Sequence, residues 1–434
     1  MKILILTTSH PYKTAGIIAK DLLENLNSLD DIQAKLLVKG WGKYKDKNII
    51  AFESKVTHVV QWLIVNINLV LRKFRMKFTN QNKSQMRDSD YYIHDLDQTK
   101  TLISSEMILK KSEIIPDAII VLFMHKFLNF KNLYELNKLT GAPILLYMMD
   151  MAPMTGGCHY AWDCNGYMKE CGYCPALYSQ QLNDQTHINY LFNKTYIEKT
   201  NIIPIAASEW QFLQLDKSSL FKNRQKFKIL LPINENQYCP SDKIKAREEL
   251  KLPKDKRIIF FGAAISTEKR KGLKELTHAL TILSKYIADP SKIHLVIAGW
   301  NSNNFDFLLP FSFTSLGYLD HNSLPMVFQA SDVFVSASIQ DSGPMMINQS
   351  IMCGTPVVSF EMGVALDLVL TGKTGYLAKL KDNVDLAKGI FTILSLEKNK
   401  YIEMSNFCRK YSLSMYSPSL FLKSFVNILE NLKN

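Results

Sequence analysis

The chain alternates short, mostly apolar runs with longer stretches of helical periodicity, and this alternation leaves few architectures open. Apolar runs lie at 3–6, 118–123, 143–147, 202–206 and 227–231 in the first half. In the second half they lie at 258–261, 294–298, 315–319, 333–336 and 357–360. Helical periodicity covers 16–29, 131–139, 274–286 and 383–394. Short strands that are apolar on both faces, separated by helices, form parallel sheets covered on both sides. The pattern predicts two doubly wound α/β units joined near 232–240. With 434 residues, 47% hydrophobic and 21% charged, the chain can bury a core in each and is not disordered. The expected domains are 1–232, with a cysteine-rich insert at about 155–176, then 233–416, and a terminal helix at 417–434. Ser417-Pro418 opens that helix as cap and first turn, and Phe421, Phe425, Ile428, Leu429 and Leu432 form its apolar stripe.

The net charge of +12 and pI near 9.1 admit nucleic acid, anionic lipid or acidic substrates as partners. No nucleic-acid-binding module accompanies the charge, so nucleic acid is not expected. Arg72, Lys73, Arg75, Lys77, Lys83 and Arg87 follow the apolar stretch 59–71, which Asn66 and Asn68 interrupt. Two readings stand side by side. One is a helix lying on an anionic membrane face, and the other is a buried helix followed by a solvated charged loop. The opening apolar run is too short for a signal-peptide core, and no uninterrupted stretch approaches the ~18 residues that span a bilayer. The expected location is cytoplasmic, where thiols stay reduced or bind metal, and the membrane-face reading would add peripheral contact with the inner face of the cytoplasmic membrane.

The segment 341–360 reads as a turn, a short helix and a buried strand. Pro344 suits the first helical position, Gly354 a left-handed stop, and Pro356 forbids further helix. A helix opening at Gly343-Pro344 presents free backbone N–H groups to a phosphate or a sugar hydroxyl. Upstream, 260–272 runs through an apolar strand into Lys269-Arg270-Lys271-Gly272. Then come 316–320, 330–338 and, after the signature, the turn Gly372-Lys-Thr-Gly375. In this order the segments resemble the donor-binding half of family 4 glycosyltransferases with the GT-B fold.

The resemblance implies two Rossmann-like lobes facing an interdomain cleft, with the terminal helix crossing back to the first lobe. It also implies a nucleotide-sugar donor and no catalytic metal. Arg270 and Lys271 are assigned to the diphosphate, whose departure develops negative charge that cations stabilise. The family signature carries two Glu residues with seven between them; here the positions read Asp341 and Gln349. Asp341 and the backbone from Gly343 through Pro344 to Met345 are expected on the transferred sugar. Gln349 is expected on the ribose, where it can accept one hydrogen bond and donate another. Asp341 also reads as a simple helix cap. The family's paired glycines after the first strand are reduced to Gly16, whose backbone is the candidate for approach to the diphosphate. Where many members carry a His, Met149 precedes Asp150, which is left as the acceptor-side carboxylate. His125 reads as a packed loop histidine.

Cys158, Cys164, Cys171 and Cys174 fall within 17 residues. Cys171-x-x-Cys174-Pro175 reads as half of a structural zinc or iron–sulfur site, with His159 as a substitute ligand. Redox thiols and unligated buried thiols are the alternatives. Residues 155–160, Thr-Gly-Gly-Cys-His-Tyr, resemble the colanic-acid-type branch of these transferases, in which the segment lies on the acceptor side. Together these readings predict a retaining hexosyltransferase of bacterial surface polysaccharide biosynthesis, such as capsule or lipopolysaccharide, acting on a saccharide acceptor that is lipid-linked. The rival readings are a catalytically degenerate, metal-stabilised binding module and a nucleotide-sugar epimerase.

Overall fold

The computed structural model describes residues 1–12, 16–54, 88–101, 103–265, 268–300, 309–343 and 345–431. The segment 59–87, with its membrane-face and buried-helix readings, lies outside them, as do Pro344 and Leu432. The chain divides into two units. The first comprises Met1–Ala206, Gln214–Phe227 and the chain from Ile428 on; the second comprises Ala207–Leu213 and Lys228–Asn427.

The first unit is built on a seven-stranded sheet in the order β3-β2-β1-β4-β5-β6-β7. Its strands are β1 (Lys2–Thr7), β2 (Gln33–Val38), β3 (Ile49–Ala51), β4 (Ala118–Val121), β5 (Ile144–Met148), β6 (Ile202–Ala206) and β7 (Phe227–Lys228). The pairings from β3 through β6 are parallel. β4 and β5 are buried at every position, because helices cover both faces. Those helices include α1 (Gly16–Asn27), α2 (Ser105–Ser112), α3 (Phe130–Thr140) and α4 (Gln185–Glu198). Asn129 opens α3 with a reciprocal capping box to Asn132, and Gly141 ends it in the left-handed region. The order reverses between β1 and β4, and ligands of such sheets gather beyond the carboxyl ends of the strands at that reversal.

The second unit carries a six-stranded parallel sheet in the order β10-β9-β8-β11-β12-β13. Its strands are β8 (Arg257–Ile265), β9 (Ile293–Trp300), β10 (Ser312–Ser315), β11 (Val333–Ser336), β12 (Val357–Phe360) and β13 (Gly375–Ala378). Helices α5 (Leu273–Leu283), α6 (Leu324–Ala330), α7 (Met345–Met352), α8 (Asn383–Leu394) and α9 (Lys398–Tyr416) accompany them. Phe260, Phe328 and Phe334 stack in the core with ring centroids 5.2–5.5 Å apart, and all three are buried. Each such ring removes well over 100 Å² of apolar surface from water. The last helix, α10 (Pro418–Asn431), buries Phe421, Phe425, Ile428 and Leu429. Its residues through Asn427 group with the second unit and those from Ile428 with the first.

Candidate active site

In the second unit the predicted donor residues gather at the carboxyl ends of β8 and β11. The turn Lys269–Lys271 is closed by Gly272, at φ +71°. A Cβ on Gly272 would lie 1.7 Å from the Ala337 carbonyl oxygen, so only glycine lets this turn press against the chain leaving β11. Ile339 N–H donates to the Arg270 carbonyl over 2.9 Å, which locks the two segments together. The result is an ion cluster. Arg270 Nη1 lies 3.0 Å and Lys271 Nζ 2.5 Å from Asp341 Oδ2, and Arg270 Nη2 lies 2.7 Å from Glu268.

Asp341 is buried, and Gly343 N–H donates to its other oxygen over 3.3 Å. Burial works against its charge, but Lys271 and Arg270 overcome that and hold the carboxyl below its ordinary range. Asp341 is thus more than a helix cap; it is the counter-ion of both cations. Among the described residues, chain neighbours apart, only Val364 comes within van der Waals contact of a Cβ added at Gly343. Met345 begins α7, and Gly354 ends its turn at φ +76°. Gln349 is buried on α7 and donates to Tyr238 Oη over 3.0 Å, and Tyr238 Oη lies 3.0 Å from His321 Nδ1. Gln349 Oε1 and Ser342 Oγ are buried without a hydrogen-bond partner among the described residues. Two unsatisfied polar atoms so close in sequence to Asp341 mark a place where a ligand group would restore what burial removed.

In the first unit, Gly16 opens α1, and a Cβ there would lie 1.9 Å from the His10 carbonyl oxygen. That glycine is required for the loop to pack on the helix. Asp150 follows β5. Its Oδ1 accepts from Ala152 N–H over 2.8 Å, and its Oδ2 lies 2.7 Å from His159 Nδ1. Both side chains are largely buried. Burial opposes each charge, yet the pair prevails: the Asp150 carboxyl is held low and the His159 imidazolium is favoured. The His94 ring packs edge-on to His159 at 4.4 Å, and His125 lies 5.1 Å from His94. Burial and the neighbouring His159 push His94 down to about 4.

Comparison with known proteins follows this division of the chain. Residues 242–412 match the family model described as glycosyl transferases group 1. An uncharacterized 41.2 kDa protein in the cps region of Klebsiella pneumoniae is 22% identical over 56% of this chain and 65% of its own length. A D-inositol 3-phosphate glycosyltransferase of Stackebrandtia nassauensis is 26% identical over 36% of this chain and 38% of its own. The chain therefore spans less than two thirds of either curated relative. Among solved structures, a sucrose-phosphate synthase of Thermosynechococcus elongatus superposes with TM-score 0.67 at 14% identity, covering 99% of this chain and 98% of that one. The Anabaena protein Alr3699/HepE in complex with UDP superposes with TM-score 0.62 at 15% identity, over 99% and 100%. WaaG, a glycosyltransferase involved in lipopolysaccharide biosynthesis, does so with TM-score 0.60 at 10% identity, over 99% of both chains.

The fold is GT-B. Within it, the cysteine cluster differs from the metal site expected from its spacing. Cys158, Cys164, Cys171 and Cys174 line one small cavity together with Tyr91 and Tyr167, and all four are free thiols. Among the described residues, however, no group of three or more His, Cys, Asp or Glu side chains is placed to hold a metal ion. Burial pushes the Cys158 thiol up strongly and the Cys171 thiol to about 12. Cys171 Sγ instead accepts a hydrogen bond from Gly156 N–H at 3.2 Å. His159, the expected substitute ligand, pairs through Nδ1 with Asp150. Sequence reasoning missed that pairing and the His94–His125–His159 ring cluster; a His preceding Asp150 was the position it examined. Among the described residues no helix is long and apolar enough to cross a membrane.

Proposed function

We propose that the chain is a retaining glycosyltransferase that moves a hexose from a nucleoside diphosphate donor onto a saccharide acceptor in the assembly of a bacterial surface polysaccharide, the acceptor being lipid-linked. One observation carries the reading. Two cations, Arg270 and Lys271, converge on the buried Asp341 at the carboxyl end of the sheet, beside the backbone of Gly343. Cations preorganised in this way stabilise a departing diphosphate without a metal. Asp341 holds them in place until phosphate oxygens share them. Its carboxylate and the start of α7 then face the transferred sugar, while Gln349 meets the ribose. The bond from the sugar carbon to the diphosphate breaks with its electron pair going to the phosphate oxygen. The acceptor oxygen bonds to the same carbon from the same face, and its proton passes to the diphosphate.

UDP bound to the Anabaena neighbour and the lipopolysaccharide role of WaaG support the donor and acceptor classes. The test is thermal stabilisation by a panel of nucleoside diphosphates and their sugars, since a ligand of the folded state raises the melting temperature. A shift with one nucleotide, abolished by Arg270→Ala, is expected. No shift with any nucleotide would defeat the transferase reading.

A further inference from the structure

Gln349 places an amide where the resembled signature places a second carboxylate, and the exchange changes what the position demands of its surroundings. A carboxylate accepts at both oxygens, so either can meet a ligand. An amide accepts at one end and donates at the other, so what it recognises depends on which end the protein holds. Here the protein holds Nε2, which donates to Tyr238 Oη over 3.0 Å. Oε1 is buried with no hydrogen-bond partner among the described residues. The end left over is thus an acceptor, and a buried acceptor is satisfied only by a group that donates to it.

Tyr238, on the chain between β7 and β8, is fully buried and closely framed. Arg409 Nη1, on α9, donates to the Tyr238 carbonyl over 2.8 Å and to the carbonyl of Met352, at the end of α7, over 3.0 Å. That arginine ties Tyr238 to the helix that carries Gln349. The Tyr238 ring lies 5.3 Å from His321 and 6.5 Å from Phe328, centroid to centroid. Its hydroxyl lies 3.0 Å from His321 Nδ1 and 3.4 Å from the His321 carbonyl. Gln237 Nε2 donates to the same carbonyl over 2.9 Å and so holds His321 in turn.

A hydroxyl has one proton to donate, and this fixes the direction of the hydrogen-bond row. With His321 Nδ1 unprotonated, Tyr238 donates towards His321, and its oxygen receives Gln349 Nε2. With a proton on Nδ1, His321 would donate to Tyr238, the hydroxyl would turn to Gln349 Oε1, and Nε2 would be the end left over. The same three side chains can therefore present an acceptor or a donor, and Tyr238 and His321 decide which. We propose that Tyr238 and His321 are positioning residues of the donor site, which hold the Gln349 amide with its oxygen as the free acceptor and so make nucleotide recognition depend on a donating ribose hydroxyl. The role rests on the transferase reading above, in which Gln349 meets the ribose.

Titration calorimetry on the full chain tests it, with UDP, GDP and ADP each beside its 2′-deoxy and 3′-deoxy analogue. For the nucleotide that binds, the wild type should take at least one deoxy analogue about tenfold more weakly, from one hydrogen bond lost at a buried acceptor. Tyr238→Phe keeps the packed ring but frees the amide to turn, and should bring that ratio to within about twofold. His321→Phe should lower it less, because the backbone carbonyl at 321 stays near Tyr238 Oη. Gln349→Glu supplies two equivalent acceptors, so adding Tyr238→Phe to it should leave the ratio unchanged. An equal fall in the Gln349→Glu chain would mean that Tyr238 acts through packing, and would overturn the positioning role. So would a wild type that binds both deoxy analogues as well as the parent, or a ratio that Tyr238→Phe does not move; the transferase reading survives each of these. Binding of none of the three parent nucleotides would remove that reading and the positioning role together.

Discussion

Asp332 and Asp341 are buried carboxylates in the same unit, one just before β11 and one beyond it; Asp341 meets two cations, and Asp332 meets three, with Arg257 Nη1 the most distant at 3.7 Å. Asp332 lies 2.8 Å from both Lys243 Nζ and Arg247 Nη2, and it accepts from Ile258 N–H over 2.7 Å. Arg247 also donates to the carbonyls of Ala330, Lys254 and Lys256. Every group there has a partner from the protein itself, and the cluster closes the amino end of the sheet. At the carboxyl end, Asp341 has similar ion pairs but unmatched neighbours in Ser342 Oγ and Gln349 Oε1. The same chemistry is thus fully matched by the protein at one end and left with unmatched polar neighbours at the other. The difference is completeness of hydrogen bonding rather than charge.

The strongest way to break this comparison is Asp332→Asn. It strands Arg247 in the core and should cost about 3–5 kcal/mol of stability, read as a large fall in melting temperature. Any nucleotide-induced rise should persist if the variant folds. Asp341→Asn should cost less, about 1–3 kcal/mol, because Arg270 keeps Glu268. Its diagnostic effect is on ligands: UDP should still stabilise the variant, but the extra stabilisation by UDP-sugar should vanish. Equal losses of stability and of ligand response in the two variants would erase the distinction.

Acid sharpens the same contrast. Both carboxyls are held below their ordinary range, burial being outweighed by their cations. A carboxyl depressed in the folded state stabilises above its unfolded value, near 3.9, and that contribution is lost as pH falls through the folded value. Melting temperature should therefore drop below about pH 4, and Asp332→Asn should flatten that limb. Gln349→Leu should cost about 1 kcal/mol through its bond to Tyr238 and weaken nucleotide binding modestly. The smallest effect expected is none: a chelator such as EDTA should leave the melting temperature of the wild type unchanged. A clear fall would restore a metal role to the cysteines.

The limits of sequence reasoning follow the same logic of burial. The central strands β1, β4, β5, β6, β8, β9, β11 and β12 were legible because both faces are covered, which leaves continuous apolar runs. β3, β10 and β13 stand at or towards sheet edges. β10, with the exposed sequence Ser-Phe-Thr-Ser, lies a few residues before its expected position. β2, Gln-Ala-Lys-Leu-Leu-Val, mixes polar and apolar residues and was not foreseen. In the second half, motif order pointed to Arg270, Lys271, Asp341 and Gln349, but not to the ion pairs among the first three. In the first half, cysteine spacing pointed to a metal that the placed side chains do not support. The unmatched oxygen of Asn193 gave no local signal at all, because α4 buries polar residues such as Thr186, Asn189 and Asn193 on its inner side.

By itself the sequence determined what depends on neighbours along the chain. Runs of apolar residues built two parallel sheets, and Gly272 and Gly354 permitted left-handed turns that other side chains resist. Tertiary structure decided what depends on distant segments meeting within hydrogen-bond range. Asp341 finds Lys271 across 70 residues, His159 pairs with Asp150, and Asn193 is left with one oxygen unmatched among the described residues. Those outcomes turn on differences of about an ångström in backbone placement, since hydrogen bonds form only over a narrow span of distance and angle. No pattern along the chain carries that information.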